Sequence, residues 1–157
     1  MFRLIVMLSA LALIIPGIVK AQNRTKGLEG IDIAVEDFDK VPGLELSEKD
    51  VESQTLVAIK RNIPKLPVGK QFAAYIYVRI TPVTVDGGVA VFVLVDLKRP
   101  SHILRENGTD TNIFALGSTW NKGTILVGPS STIRSRIFET ISEHMTQFAA
   151  DYYRENP

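Results

Sequence analysis

Residues 72–97 read FAAYIYVRITPVTVDGGVAVFVLVDL, and this stretch decides the fold. Residues 72–85 and 89–97 form two strands around Asp86-Gly87-Gly88, a glycine-bearing link of the kind that closes a hairpin. In the first strand Ala74, Ile76, Val78 and Ile80 alternate with Tyr75, Tyr77, Arg79 and Thr81, the period of a half-buried strand. In the second, Val89, Val91, Val93, Val95 and Leu97 alternate with Ala90, Phe92, Leu94 and Asp96. Both faces of this second strand are apolar, which predicts a central strand covered on more than one side. Pro82 has no ladder donor, so it belongs near an edge or the strand's end.

Upstream, Ile31, Ile33 and Val35 alternate within residues 31–38, a further strand, and residues 39–46 with Pro42-Gly43 form a loop. Ser47 opens a helix. Its hydroxyl is placed to accept from the amide three residues on, where Asp50 completes a capping box, and Leu46 with Val51 forms a hydrophobic staple. The helix is expected to reach about Asn62 with Leu56, Ile59 and Ile63 on one side, and Pro64 stops it. Downstream, residues 98–112 are polar and turn-rich and read as a loop with Asn107-Gly108 at its tip. Residues 113–120 read as a strand, turned by Asn121-Lys122-Gly123 into a short partner at 124–127. After Gly128-Pro129, with Ser130 or Ser131 as N-cap, Ile133, Ile137, Ile141, Met145, Phe148 and Tyr152 recur at helical spacing. Arg134, Glu139, Glu143 and Asp151 are expected to face away from that stripe. The order strand-helix-strand-strand-strand-helix predicts a two-layer α+β domain, an antiparallel sheet of about four strands with both helices on one face.

The chain has 157 residues, 45% of them hydrophobic, with 18 Lys+Arg against 17 Asp+Glu. Such a composition fits one globular domain and excludes disordered, collagen-like and disulfide-scaffold classes. The absence of cysteine removes thiol chemistry, and a formal net charge of +1 gives no ground for a nucleic-acid partner. Met1-Phe2-Arg3 is a basic start, residues 4–19 carry no charge, Pro16-Gly17 breaks the run, and Val19-Lys20-Ala21 offers a cleavage site. This is the layout of a secretory signal peptide over residues 1–21. The apolar run falls short of the about 20 residues a membrane span takes, so the membrane is met only through this segment before cleavage. Residues 22–30 read as a flexible leader and residues 31–157 as the single domain. Losing Arg3 and Lys20 with no acid takes the net charge from +1 to −1.

Catalytic patterns are missing. Gly117-Ser118-Thr119-Trp120 lacks the closing glycine of a nucleophile elbow. His102 sits in the polar loop and His144 at the boundary of the last helix's stripe, neither with metal-ligand spacing. Glu36 and Asp37 are strand neighbours that point to opposite faces, and Glu36-Asp37-x-Asp39 lacks the ligand series of a calcium loop. The helix start at Gly128-Pro129-Ser130-Ser131-Thr132 favours an anion, but without a phosphate-binding fingerprint capping accounts for it. Lys60, Arg61, Lys65 and Lys70 read as a solvated edge. Asn23 and Asn107 open glycosylation triplets. These readings assign no catalytic residue, no metal and no cofactor.

What remains is aromatic. Tyr75 and Tyr77 share one strand face with Arg79, and Trp120 is expected to join them across the sheet. Aromatics with arginine are favoured anchors of interaction surfaces. The expected function is therefore a non-catalytic binding module, periplasmic or secreted, that meets an envelope or extracellular protein through Tyr75, Tyr77, Arg79 and Trp120. The alternatives are an envelope-polymer hydrolase with His102 or Glu36 as base, and a structural homo-oligomeric subunit such as a homodimer through the same face.

Several short segments carry a resemblance. Ile33-Ala34-Val35-Glu36-Asp37, the glycine-bearing loop into Leu46-Ser47-Glu48, and Tyr75-Ile76-Tyr77-Val78 are three of them. Thr119-Trp120 with a glycine following, and the ending from Phe148-x-x-Asp151-Tyr152 to Asn156-Pro157, complete the set. Together they resemble uncharacterised small exported bacterial proteins. That resemblance implies a bacterial envelope or secreted protein and a non-enzyme, and it brings no site residues with it.

Overall fold

The computed structural model describes residues 24–104 and 110–157, and side chains outside 102–114. The signal segment at 1–21, Asn23, Asn107 and the side chain of His102 lie outside the described residues. Six elements follow in the order β1 (Asp32–Val35), α1 (Glu48–Asn62), β2 (Tyr75–Val85), β3 (Gly88–Leu104), β4 (Asp110–Gly128) and α2 (Ser130–Glu155). They build an α+β fold, a four-stranded sheet in the order β1-β2-β3-β4 with two helices.

The sheet is mixed rather than wholly antiparallel. β2–β3 and β3–β4 are antiparallel, whereas β1 lies parallel to β2, with Asp32 opposite Tyr75 and Val35 opposite Val78. The connection dictates this: β1 and β2 are joined through α1, and a helical crossover returns the chain in the same direction. β1 ends at Val35, so β2 beyond Val78 has a ladder only on its β3 side, which is where Pro82 is tolerated.

One face of the sheet is closed by the helices. Ile76, Val78 and Ile80 of β2, Val89, Val91, Val93, Val95 and Leu97 of β3, and Trp120 and Leu126 of β4 are all buried there. Against them α2 sets Ile133, Ile137, Ile141, Met145 and Phe148, and α1 sets Val51, Ala58 and Ile59. The capping box forms as read: the Asp50 amide donates to Ser47 Oγ at 3.2 Å and the Ser47 amide to the Asp50 carboxylate at 3.1 Å. Leu56, expected on the inner side of α1, is 38% exposed. Its place is taken by Thr55, whose hydroxyl turns back to the Val51 carbonyl at 2.7 Å and so can be buried.

Four further expectations change. Residues 98–112 are not one loop: β3 continues to Leu104 and β4 begins at Asp110, because a hairpin ladder extends on backbone hydrogen bonds whatever its side chains. Asn121-Lys122-Gly123 do not turn the chain; they lie opposite Asp96, Val95 and Leu94 within an unbroken β4. The N-cap of α2 is Pro129, without a side-chain bond, rather than a serine. The described part of the leader is docked on the fold, since Thr25 donates through its amide and hydroxyl to Glu155 at 2.6 and 2.7 Å. Asn156 closes the same contact, accepting from the Gly27 amide at 2.9 Å and donating to the Thr25 carbonyl at 3.1 Å. Gly27 makes the necessary bend at φ 69°, a conformation that favours glycine.

His144 also departs from its expected boundary position. It is buried between α2 and β4, with Nε2 3.0 Å from the Thr124 hydroxyl and Nδ1 without a partner. Burial holds its pKa below the ordinary 6.5; neighbouring Glu143 opposes that shift and Lys122 adds to it. The unfolded chain therefore takes up a proton first as pH falls. Stability is expected to be level above about pH 6.5 and to drop as pH falls below it. Denaturant titration over that range should show the drop in the natural chain and a flatter profile in His144→Gln. Trp120 gives a second prediction. Its indole donates to Asp151 at 2.8 Å and meets the Phe148 ring edge-on at 5.2 Å. Trp120→Ala should cost about 3–5 kcal/mol by chemical denaturation, the range for removing a large buried aromatic.

Candidate functional site

The face of the sheet away from the helices is uncovered among the described residues. The strand period sends Tyr75, Tyr77, Arg79, Thr81, Val83 and Val85 of β2 to this side. Across the register it also receives Ala90, Phe92, Leu94, Asp96 and Lys98 of β3, and Ser118, Asn121, Gly123, Ile125 and Val127 of β4. These positions divide into a polar half and an apolar half.

The polar half is a closed network. The Tyr77 hydroxyl donates to a Glu36 carboxylate oxygen, and the Arg79 guanidinium donates to that same oxygen. On β3, Asp96 accepts from Ser118 at 2.5 Å and pairs with the Lys98 ammonium at 2.7 Å. Arg79 and Lys98 each stand 5.8 Å from the Tyr77 ring centre, so the ring lies between two cations and joins the two ion pairs. The hydrogen bonds from Tyr77 and Arg79 hold the Glu36 carboxyl below its usual range. Tyr77 is pushed above its ordinary 10.0, first by burial and then by its bond to Glu36. Beyond the end of β1, Glu36, Asp37, Phe38, Asp39 and Arg79 border a shallow depression of about 340 Å³.

The apolar half is unsatisfied. Val83 is 55% exposed, Ile125 72% and Val127 59%, and Phe92 also stands open. Their registers make them contiguous: Val83 lies opposite Ala90 and Ala90 opposite Val127, while Phe92 lies opposite Ile125. Gly123 lets this surface lie flat, since a methyl group there would stand 2.9 Å from the Phe92 ring.

The structure brings together three of the four residues expected to bind. Tyr75, Tyr77 and Arg79 share the uncovered face, while Trp120 is turned into the core under α2. Trp120 shares the parity of Leu126 in the unbroken register of β4 and lies opposite Leu97, so both Leu97 and Trp120 face the helices; the bulge that sets Lys98 opposite Ser118 shifts the parity only beyond that pair. Asp151, expected to face away, turns in to receive the indole. Sequence reasoning missed Asp96 and Lys98 as members of the polar network, and Val83, Phe92, Ile125 and Val127 as the exposed patch. The signal was present in the alternation of Ile125 and Val127 about Leu126. Of the proposed catalytic bases, Glu36 is bound into the network. No group of three or more metal-ligating side chains occurs among the described residues.

No protein-family model and no curated protein matches the chain. Solved structures overlap with it distantly. A point variant of PelC from Paraburkholderia phytofirmans, a dodecamer, is 14% identical with a TM-score of 0.47, covering 80% of this chain and 92% of that one. The PelC dodecamer in another crystal form gives 14% identity and a TM-score of 0.38, over 78% and 89% of the two chains. A crystal structure of an uncharacterized protein gives 11% identity and a TM-score of 0.34, over 83% and 95%. At these values the overlaps decide neither family nor function.

The network around Tyr77 yields a direct check. Glu36→Gln removes the carboxylate that opposes phenol ionisation, so the Tyr77 pKa should move down towards 10.0. A ring-proton titration by NMR that leaves it in place would show that Glu36 does not set it.

Proposed function

We propose that the protein is an exported binding module that works through the uncovered face of its sheet. One observation carries this reading: a contiguous apolar patch of Val83, Phe92, Ile125 and Val127 stands in solvent beside a polar network. A soluble domain gains nothing from exposed valine and isoleucine side chains in register, and such patches mark interaction sites. The polar half supplies the rim. Its charges are already paired within the chain, so it orients a partner and excludes water while the apolar half supplies the free energy. Tyr77 and Arg79 thus belong to the surface as its border rather than its anchor. Export rests on the basic, apolar and small-residue layout of residues 1–21. Among the described residues no helix is long and apolar enough to cross a membrane.

The test is capture from the native envelope fraction by residues 22–157, with mass spectrometry of what remains bound. Ile125→Asp with Val127→Asp should abolish capture of a reproducible partner, because charges at the centre of an apolar contact are left unpaired. Val57→Asp, on an exposed part of α1 with Val57 60% exposed, should leave capture intact. Capture unaffected by the β4 pair would overturn the reading.

A further inference from the structure

We infer that the occupant of the uncovered sheet face is a second copy of this chain, stacked face to face. The inference rests on the reading above that this face is the working surface, and it names the partner.

Charge is the first discriminator. The polar half presents two acids, Glu36 and Asp96, and two bases, Arg79 and Lys98, each acid paired with a base. A face with no net charge selects neither a strongly acidic nor a strongly basic partner, and two copies of it approach without net repulsion. Without residues 1–21 the chain carries a formal −1, which adds little long-range repulsion.

Shape is the second. An isologous contact needs one patch that complements itself. Phe92 lies flat across Gly123, and the valines and isoleucine around it stand in regular strand rows. This is the surface that packs against another sheet at about 10 Å separation with side chains interleaved.

Area is the third. β2 pairs with β3 over 11 residues. At about 3.4 Å per residue and about 4.8 Å per strand, three strands project to roughly 500 Å². Side-chain relief raises the accessible area towards the ~800 Å² per partner of an ordinary stable interface. The apolar half alone falls short, so the polar half must lie inside the contact as its rim. β3 then becomes a strand covered on both faces, as its doubly apolar pattern demands.

The experiment is sedimentation velocity of residues 22–157, which contain every described element, over a wide concentration range. A monomer–dimer equilibrium that changes little with added salt is expected, since the burial is apolar and the face neutral. Ile125→Asp with Val127→Asp should weaken dimerisation on the order of 100-fold, with the circular dichroism spectrum and melting temperature retained. Val57→Asp should leave it unchanged. A monomer throughout the range overturns the inference, as does a dimer indifferent to the β4 pair or flotation on phosphatidylcholine vesicles in place of dimerisation. If the monomer still captures an envelope protein through Ile125 and Val127, the second copy is wrong and the binding face stands. If dimerisation and capture both ignore those residues, both readings fall.

Discussion

The structure depends on where β3 sits. Among the described residues it alone has a long antiparallel ladder on each edge, to β2 and to β4. Side chains alternate with a period of two, so fixing β3 fixes the faces of its neighbours; a slip by one residue would exchange core and solvent. Val89, Val91, Val93, Val95 and Leu97 are the odd-numbered set that goes to the helices, and each is at most 1% exposed. Ile76, Val78 and Ile80 follow through the β2 register, Trp120 and Leu126 through β4. The stripe of α2 then has one surface to meet. The same constraint fixes the opposite face, where Phe92 and Leu94 cannot be hidden by anything β3 pairs with.

Much of this was legible locally. Period-two alternation located the hairpin, and the capping box placed the start of α1 at Ser47. The α2 stripe is legible residue by residue: Ile133, Ile137, Ile141, Met145 and Phe148 are buried, and Tyr152 packs half-buried against the core. The departures share a cause: polar or turn-forming residues suggest local meanings, but long-range pairing decides their fate. Asn121-Lys122-Gly123 looks like a turn, but opposite β3 it is only the strand's solvent-facing middle. A turn there would break the parity between Leu126 and Trp120, which are six residues apart in one strand and so on one face. With that parity lost, alternation sends Trp120 to the wrong side and leaves Asp151, its half-buried acceptor, reading as a surface charge. The bulge opposite Leu97 and Lys98 has no local signature, because it exists only in the pairing of β3 with β4.

The candidate site was half legible for a related reason. Tyr75, Tyr77 and Arg79 attract notice by chemical type, and the alternation places them together. Their contribution depends on neighbours that sequence distance conceals: Glu36 comes from beyond β1, Lys98 and Asp96 from β3. With these in place the aromatic half is internally satisfied, and a satisfied network has little left to offer a ligand. Plain valine and isoleucine, which carry no chemical flag, are the groups left in want of a partner.

Why the face, rather than an edge, should engage a partner follows from how the two edges end. Edge strands invite strand addition unless something interrupts the row of free amides and carbonyls. On the β2 side the free stretch after Val78 contains Pro82, which removes a donor in its middle. On the β4 side, Arg136 of α2 reaches over to hold the Val127 carbonyl at 2.7 Å, so the chain's own helix occupies an acceptor at the apolar end. Both interruptions fall beside the apolar patch, level with Val83 on one strand and Val127 on the other. They deny an incoming strand a clean ladder at the place where side-chain burial would reward it most. The patch between them has no such obstruction, and its rows of valine, isoleucine and phenylalanine can be covered by a surface laid over the sheet but poorly by a strand added beside it.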